Sequence, residues 1–511
     1  SFDSPTLKFS YELPLPIFNG QYAEWQGILC GNGSFLIGEI DFWAKPYTVW
    51  TSQQKADTSW NTNNIKISQI KDGKLILFKD FNKDVVQSVA RADPVLLNRQ
   101  RLYVNHKTGN LFVGEADGGV GKSFKQMIEI NPDTNKNTLV NLPFDSEDMC
   151  FDMNGFAYLR TDLEVGRFDS KSWKEIPWDY GAERTRVSFE SSSGSRAIDL
   201  VSGLITPGHR SLSYWHLGGM SVSPNGNLAI ATCSANDDGK RVSWGDSDPK
   251  NNFKYGGKPY EPAMYPGRNW WGEIHIYNKH GLPLVVDAFP GVGQSNGIGL
   301  DKNNNIYAML SGKWMINGKS YDPALTDDLS DTIVKVQSNN ARVVSKTLGL
   351  IPLPSAERPK VEPNLQGAQA GEDSWVVNAE WFYGGVGFAG KNAPWDGGGC
   401  CCWNARFSLD YFARSFVPET RHFSVAVLDS SGNLILRIGS YGNLDDGVPL
   451  VKDERIKYSK SIGGNEVAIF HGAYLATHTD KRLFISDQGN SRISSVKLNY
   501  QTEEKLKIPE K

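Results

Sequence analysis

The stretch LYVNHKTGNLFVGEADG, residues Leu102 to Gly118, consists of two short apolar runs separated by a polar turn that contains Gly109. Apolar runs on both sides of such a turn are typical of a β-hairpin. The same pattern returns along the chain, and weaker copies begin at Ile28 and Ser374. The other clear copies are MCFDMNGFAYLRT (Met149 to Thr161), MSVSPNGNLAIATCS (Met220 to Ser234), IGLDKNNNIYAML (Ile298 to Leu310) and YLATHTDKRLFISDQGNSRI (Tyr474 to Ile493).

The composition also favours an all-β chain. Glycine (51), tryptophan (15), tyrosine (19) and phenylalanine (24) are abundant, and only 22% of the residues are charged. Aromatic residues favour strands, and glycine favours turns. Seven copies in 511 residues give 511/7, or 73 residues per unit, which exceeds the ~40 to 50 of a bare four-stranded repeat. The excess predicts long insertions between strands.

One copy carries a resemblance to a known family. RLFISDQGNSRISSVKL (Arg482 to Leu498) resembles the repeat of the NHL and gluconolactonase-like β-propellers, and AVLDSSGNLILRIGSYGN (Ala426 to Asn443) resembles the outer half of such a blade. The segment around Cys400 to Trp403 is similar to a group of large secreted bacterial propellers. The resemblance implies one seven-bladed β-propeller over residues 1–511, with six or eight blades as alternatives. A β-sandwich is the competing topology.

The predicted insertions are expected on one face of this ring. In a unit of four antiparallel strands, the turns after the first and third strands lie at one end, and the other connections lie at the opposite end. All six long insertions are predicted to follow a second or a fourth strand, which places them at this opposite end. A functional site is therefore expected among them. They cover residues 40–61, 181–217, 235–271, 311–331, 349–373 and 389–421.

Charge and hydropathy exclude several classes of partner. The formal net charge is −3, with 54 basic and 57 acidic residues and no basic run, so nucleic acid is not expected. No apolar run approaches the roughly 18 residues of a membrane helix.

The segment DGGVGKS (Asp117 to Ser123) ends like a phosphate-binding loop, but Ala116 stands where such a loop needs glycine, so no nucleotide is expected. Haem is not expected either. A start at Ser1 suggests a removed leader, with a truncated chain as the alternative. The abundance of aromatic residues and the low share of charged residues favour a secreted or periplasmic protein.

The insertions contain most of the tryptophans. Large aromatic side chains in loops either form the private core of the loop or provide a stacking platform for a ligand such as a sugar. For the set as a whole, at least one platform is expected. The candidates for substrate binding are Trp215, Trp270, Trp271 and Trp403.

The segment GHRSLSYWHLGG supplies the candidate catalytic residues, His209, Tyr214 and His216, with Arg210 beside them. An imidazole titrates near neutral pH and transfers protons, and Arg210 or Tyr214 could position an acidic substrate. This is the set that a polysaccharide lyase needs to remove a proton next to a uronate carboxylate. The alternative is that each histidine is a hydrogen-bonded structural residue.

The cysteine triplet Cys400 to Cys402 allows three chemistries. In an extended loop, Cys400 and Cys402 point the same way and could bind a metal such as zinc or copper, with Cys233 as a third ligand. A structural disulfide and free thiols are the alternatives. Calcium bound by carbonyl and carboxylate oxygens in the central channel is a further hypothesis.

Arg406, Asp410 and Arg414 recur at a spacing of four. On one turn of helix they would form a stripe that either fastens the loop as an ion pair or clamps a carboxylate or sulfate.

The leading hypothesis is an extracytoplasmic propeller that binds, and cleaves as a lyase or lactonase, a carbohydrate or another acidic small organic molecule. A non-catalytic propeller that binds a protein partner through a cysteine-stapled loop is the first alternative. A metal-dependent redox protein is the second.

Overall fold

The structure, a computed structural model of the chain, divides into two compact units, Ser1–Val95 and Leu96–Lys511. The residues that it describes are 24–29, 35–40, 66–71, 74–80, 100–115, 124–134, 136–161, 164–178, 204–205, 210–211, 219–233, 254–255, 258–259, 263–268, 272–292, 295–321, 330–347, 349, 351–367, 373–387, 405–442, 467–487 and 492–498. Within these ranges the chain is all-β, with one 3-10 turn at Ser355–Glu357 and no helix of a length and apolarity that would cross a membrane.

The first unit contains one antiparallel sheet whose strands are paired in chain order. The hairpin predicted at Ile28 forms its first two strands, in which Ile28 pairs with Leu36. The strands are β1 (Glu24–Leu29), β2 (Phe35–Ile40), β3 (Lys66–Lys71) and β4 (Lys74–Asp80).

The second unit begins with two further four-stranded antiparallel sheets, again paired in chain order. Sheet I contains β5 (Gln100–Val104), β6 (Leu111–Glu115), β7 (Phe124–Asn131) and β8 (Lys136–Ser146). Sheet II contains β9 (Asp148–Phe151), β10 (Phe156–Arg160), β11 (Glu164–Asp169) and β12 (Leu204–Ile205).

Sheets III and IV each consist of four main strands, which we call the frame, and additional short strands. Sheet III contains β13 (Arg210–Ser211), β14 (Met220–Val222), β15 (Leu228–Cys233), β18 (Glu273–Tyr277) and β19 (Pro283–Pro290), and β16 (Lys254–Tyr255) pairs separately with β17 (Lys258–Pro259). Sheet IV has the frame β20 (Ser295–Leu300), β21 (Asn305–Ile316), β23 (Asp331–Gln337) and β27 (Ala379–Val386). Its additional strands are β22 (Lys319–Ser320), β24 (Arg342–Ser345), β25 (Leu365–Gly367) and β26 (Asp373–Val377).

The last two sheets complete the second unit. Sheet V contains β28 (Ser408–Leu409), β29 (Ser415–Glu419), β30 (Ser424–Leu428) and β31 (Leu434–Ile438), and is followed by the parallel pair β32 (Ser440–Tyr441) and β33 (Ala468–Ile469). Sheet VI contains β34 (Gly472–His478), β35 (Arg482–Asp487) and β36 (Arg492–Lys497).

The six sheets of the second unit follow one another around a ring. The first strand of each frame contacts the first strand of the next, in the order β5, β9, β14, β20, β28, β34, and β34 contacts β5 again. Polar contacts cross the boundaries: Ser408 Oγ lies 3.0 Å from Thr477 Oγ1 between sheets V and VI, and His478 Nε2 lies 3.3 Å from the carbonyl oxygen of His106 between sheets VI and I. The predicted all-β propeller arrangement is thus confirmed. The count of seven blades is not, since the described strands of this unit form six sheets of three or more strands.

Apolar side chains fill the spaces between neighbouring sheets. Phe112 of sheet I, for example, packs against Phe151 of sheet II with ring centroids 4.8 Å apart. Ala308 of sheet IV is fully buried with Ala229 and Ile274 of sheet III. The first two strands of a sheet, which we call its inner hairpin, therefore bury apolar residues on both faces. This explains why these strands form continuous apolar runs in the sequence.

Two sequence assignments were wrong. The weak copy at Ser374 is not an inner hairpin, because β26 pairs with β24 and β25 while β27 pairs with β23 as the outer strand of sheet IV. Residues 349–373 accordingly lie between the third and fourth strands of sheet IV rather than between two sheets.

The segment 389–421 was predicted to be a single connection, but its second half forms the hairpin of β28 and β29. The strand β28 has only two residues, which is too short for a recognisable alternation.

Candidate functional site

Charged side chains meet where the inner strands of the ring begin. Asp148, the first residue of β9, is completely buried and receives Nη1 of Arg406 at 3.0 and 3.1 Å from its two oxygens. The hydroxyl of Tyr103 donates to Asp148 at 2.9 Å, and Nη1 of Arg101 lies 3.7 Å from the same carboxylate. We call Arg101, Tyr103, Asp148 and Arg406 the axial cluster.

Arg406 reaches across the ring. It precedes β28 in sheet V, whereas Asp148 belongs to sheet II, so three steps around the ring of six separate the two residues in either direction. The side chain passes Gly297, where a Cβ would lie 2.7 Å from Cγ of Arg406. Gly219 has a φ of +129°, and a Cβ there would clash with Asp148 Oδ2. Residues without side chains at these two positions therefore make room for the Arg406 guanidinium on the axis.

The surroundings of Asp148 keep it ionised. Burial by itself raises the pKa of a carboxyl group, but Arg406, Arg101 and the hydrogen bonds from Tyr103 and the Met149 amide outweigh it, so the pKa of Asp148 is lowered. Burial, followed by the charge of Asp148, raises the pKa of Tyr103, which stays a neutral hydrogen-bond donor. The axial cluster thus places two guanidinium groups around one ionised carboxylate.

The exposure of the cluster is uneven. The side chain of Asp148 is 0% exposed and that of Arg101 is 4% exposed, whereas that of Arg406 is 18% exposed. A guanidinium has five N–H donors in one plane, and it binds carboxylate or sulfate groups with two parallel hydrogen bonds. Arg406 is therefore the most exposed charged side chain of the axial cluster.

The other two residues of the predicted arginine stripe lie apart from Arg406. Asp410 and Arg414 close the turn of the β28–β29 hairpin, where Asp410 Oδ1 accepts hydrogen bonds from the amides of Phe412 and Arg414 at 2.9 Å. Nη2 of Arg414 forms an ion pair with Asp410 at 2.6 Å. The helical interpretation was wrong, because an aspartate that caps its own turn favours a hairpin. The pair itself fits the predicted fastening role.

Most of the other predicted site residues lie outside the part of the chain that the structure describes. For Arg210 and Cys233 only the backbone is described, and these two residues are paired between β13 and β15. Among the described side chains, no group of three or more His, Cys, Asp or Glu residues is placed to hold a metal ion. The predicted residues outside the description are His209, Tyr214, Trp215, His216, Trp270, Trp271, Cys400, Cys402 and Trp403.

Sequence reasoning missed Arg101, Tyr103 and Asp148. The available signal was their position, since Arg101 and Asp148 stand at the entrance of two apolar strands that were otherwise read correctly. A charged residue at the start of an innermost strand is unusual, because that end of the strand is surrounded by the other sheets of the ring.

A second buried charge cluster fastens the outer strands of sheet III. Arg268 is 1% exposed, contacts Glu273, and donates to Asp287 at 2.6 Å. The amide of Asp287 donates to Nδ1 of His275, so Nε2 of His275 carries the proton and donates to Glu273 at 3.0 Å. Burial raises the pKa of Glu273. We call Arg268, Glu273, His275 and Asp287 the sheet III cluster.

Two buried histidines predict acid-labile folding. Burial, with the neighbouring His478, lowers the pKa of His106 to about 4, and burial lowers the pKa of His471 to about 4. The unfolded chain binds these protons near pH 6.5 and the folded chain only near pH 4, so stability falls as the pH falls between these values. At pH 5 each histidine should reduce the free energy of unfolding by about 2 kcal/mol relative to pH 7. Urea titrations at both pH values measure the change.

His106→Gln and His471→Gln are the matched variants for this measurement, since each removes one titrating group. Each should show a smaller loss between pH 7 and pH 5 than the unaltered protein. Equal losses in all three proteins would contradict the assignment of acid sensitivity to these residues.

The solved structures that are similar to this chain share little of its sequence. No family model matches the chain, and no curated protein matches it in sequence. Among solved structures, it is similar to virginiamycin B lyase from Staphylococcus aureus at 10% identity and a TM-score of 0.30, over 94% of this chain and 97% of the lyase. For the calcium-binding protein regucalcin from Agrobacterium tumefaciens, the identity is 11%, the TM-score is 0.33, and the coverage is 76% of this chain and 81% of regucalcin.

A gluconolactonase from Xanthomonas campestris also matches, at 9% identity and a TM-score of 0.31, over 78% of this chain and 86% of the gluconolactonase. The resemblance to the gluconolactonase-like β-propellers accordingly rests on the Arg482–Leu498 repeat.

Proposed function

We propose that the protein binds a small organic acid, such as an acidic carbohydrate, at the axial opening of its second unit. The observation that carries the proposal is the axial cluster, in which the Arg406 guanidinium reaches across the ring to a completely buried carboxylate while its own side chain stays 18% exposed. A buried carboxylate holds this guanidinium in place before any ligand arrives, so little side-chain entropy is lost on binding.

The connection from β15 to β18 begins at the end of sheet III where the inner strand β14 starts. In sheet III, β14 begins at Met220, which pairs with Ile230 of β15, and β15 then runs on to Cys233 before the connection to β18 begins. The start of an inner strand and the start of this long connection are thus neighbours. We propose that Trp215, Trp270, Trp271 or Trp403 stacks against a sugar ring whose carboxylate is bound by Arg406.

For the reaction we propose a lyase or lactonase step. His209 or His216 would remove the proton next to the carboxylate, the carbon–oxygen bond on the adjacent carbon would break, and Tyr214 would protonate the leaving oxygen. A lactonase would instead use the same histidines to activate water towards an ester carbonyl. In both reactions Arg406 binds the carboxylate group, and Arg210 would assist it.

The proposal is tested by binding and turnover of galacturonate and glucuronate oligosaccharides. Replacing Arg406 with Lys keeps a positive charge beside Asp148 but removes the planar pair of donors. We expect the affinity for uronates to fall by about tenfold to a hundredfold, as measured by titration calorimetry, with increasing salt weakening what remains. Ultraviolet absorbance of an unsaturated product reports lyase turnover, which His209→Gln and His216→Gln should abolish.

Arg482→Lys is the matched control, because Arg482 pairs with Asp133, which is 75% exposed, in a contact between sheets VI and I. Uronate affinity should be the same in this variant as in the unaltered protein. The absence of uronate binding at millimolar concentration would refute the proposal, as would unchanged uronate binding by a folded Arg406→Lys protein.

A further inference from the structure

A polar cavity of about 480 Å³ lies between sheets I and II, beside the turn that joins β5 to β6. This is the opposite end of the inner strands from the axial cluster, because Arg101 stands at the start of β5 and Asn105 follows its end. The wall on sheet I contains Asn110 and Glu129, and the wall on sheet II contains Ser170, Lys171 and Trp173. No function described above uses this cavity.

Two turns of the same conformation face each other across the cavity. In the turn after β5, the amide of Gly109 donates to the carbonyl oxygen of Asn105, and the Asn105 side chain accepts from the amides of Lys107 and Thr108. In the turn after β11, the amide of Trp173 donates to the carbonyl oxygen of Asp169 at 2.8 Å, and the Asp169 side chain accepts from the amides two and three residues later. Trp173 therefore occupies the position that Gly109 holds in the matching turn.

The backbone of Trp173 is in an unfavourable conformation for its residue type. Its φ is +54°, in the left-handed region, where Gly109 has a φ of +75°. Glycine adopts this conformation without steric cost, whereas a bulky side chain does so only where the surroundings impose it. The indole meets Phe112 of sheet I edge to face, with centroids 6.3 Å apart, and is only half-buried. A strained tryptophan that lines a cavity points to a binding role.

The polar groups of the cavity are held in place before any ligand binds. Asn105 Nδ2 donates to Ser170 Oγ at 3.0 Å, which ties the two turns together. Asn110 Nδ2 donates to Glu129 Oε1 at 2.6 Å, which fixes the carboxylate on the wall. Asn141 and Thr138 add further amide and hydroxyl groups. The charges of Glu129 and Lys171 balance each other, so the lining favours a ligand without net charge.

We propose that this cavity is a second binding site, which takes one or two units of a neutral saccharide. The indole of Trp173 provides an apolar surface for the C–H face of a sugar ring. The side-chain amides donate hydrogen bonds to its hydroxyl groups and accept hydrogen bonds from them, and the Glu129 carboxylate accepts hydrogen bonds from them. The volume lies within the range of about 300 to 1,000 Å³ that small-molecule sites occupy. The site differs from the axial opening in both place and ligand charge.

The test is to measure binding to an array of neutral glycans, followed by calorimetric titration with the free disaccharide maltose, cellobiose or lactose that corresponds to the strongest signal. Trp173→Gly restores the residue type of the matching turn, so the variant should fold while it loses the indole surface. We expect at least about tenfold weaker binding. Glu129→Gln should also weaken binding, because it replaces the charged acceptor with a neutral amide of the same shape.

Tyr411→Ala is the control, since Tyr411 is an aromatic residue 50% exposed on the hairpin turn of sheet V, away from the cavity. It should bind neutral glycans as the unaltered protein does. Two results would overturn the proposal: no neutral glycan bound at millimolar concentration, or undiminished binding by folded Trp173→Gly. Uronate binding measured on the same samples distinguishes this outcome from a failure of the axial site.

Discussion

Replacing Asp148 with Ala should lower the free energy of unfolding by about 3 to 5 kcal/mol, the largest effect that we expect from a single substitution in the axial cluster. The change leaves the Arg101 and Arg406 guanidinium groups near the ring axis without their carboxylate. It also removes the acceptor of the Tyr103 hydroxyl and of the Met149 and Met220 amides. Urea denaturation followed by tryptophan fluorescence measures the loss.

Asp133→Ala is the matched control, because this carboxylate also pairs with an arginine but is 75% exposed. We expect its removal to cost less than about 1 kcal/mol, as is usual for exposed ion pairs. Adding Arg406→Leu to Asp148→Ala should restore part of the stability, since it removes the guanidinium that Asp148 binds in the unaltered protein. A loss below about 1 kcal/mol for Asp148→Ala alone would show that the cluster is not a buried ionic contact.

Replacing Arg268 with Ala should also cost about 3 to 5 kcal/mol at neutral pH, since it leaves Glu273 and Asp287 close together without a cation. The pH dependence then gives a specific signature. In the variant, the pKa of Glu273 should rise further above its value in the unfolded chain, so protonation favours the folded state. Part of the lost stability should therefore return as the pH falls from 7 to 5, as measured by urea titration.

Arg342→Ala is the matched comparison, because Arg342 lies over the ring of Tyr265, as Arg268 does, but makes none of the ion pairs of the sheet III cluster. This variant should lose little free energy of unfolding at pH 7 and should regain none of it at pH 5. The free energy of unfolding that Arg268→Ala loses should be compared at pH 5 and pH 7 after correction for the histidines. If the loss at pH 5 were as large as the loss at pH 7, or larger, the like-charge explanation would be wrong.

The sequence predicted the inner hairpins well because their signal is local. In Leu102–Gly118 and Met220–Ser234, two apolar strands and their turn lie within about 15 residues, and the second strand of each pair is buried on both faces. The outer half around Ala426–Asn443 was also identified correctly, with its Asp429 turn between β30 and β31. Turn chemistry and apolar runs identify such pairs without any knowledge of the rest of the chain.

The axial cluster could not be predicted in this way. Asp148 and Arg406 are 258 residues apart, and nothing in either segment identifies the other as its partner. Their meeting depends on the number of sheets and on the closure of the ring, which are properties of the whole unit. The stripe of Arg406, Asp410 and Arg414 shows the same limit, because spacing alone did not distinguish a helical face from a hairpin turn.

The contact between sheets VI and I has a consequence for how the protein is made. His478 meets the backbone of His106 across 372 residues of chain, so the ring cannot close until almost the entire second unit has left the ribosome. Until then the apolar flank of sheet I has no partner on that side. Folding is therefore expected to be slow and to end with this step, which makes the nascent chain a natural client of chaperones.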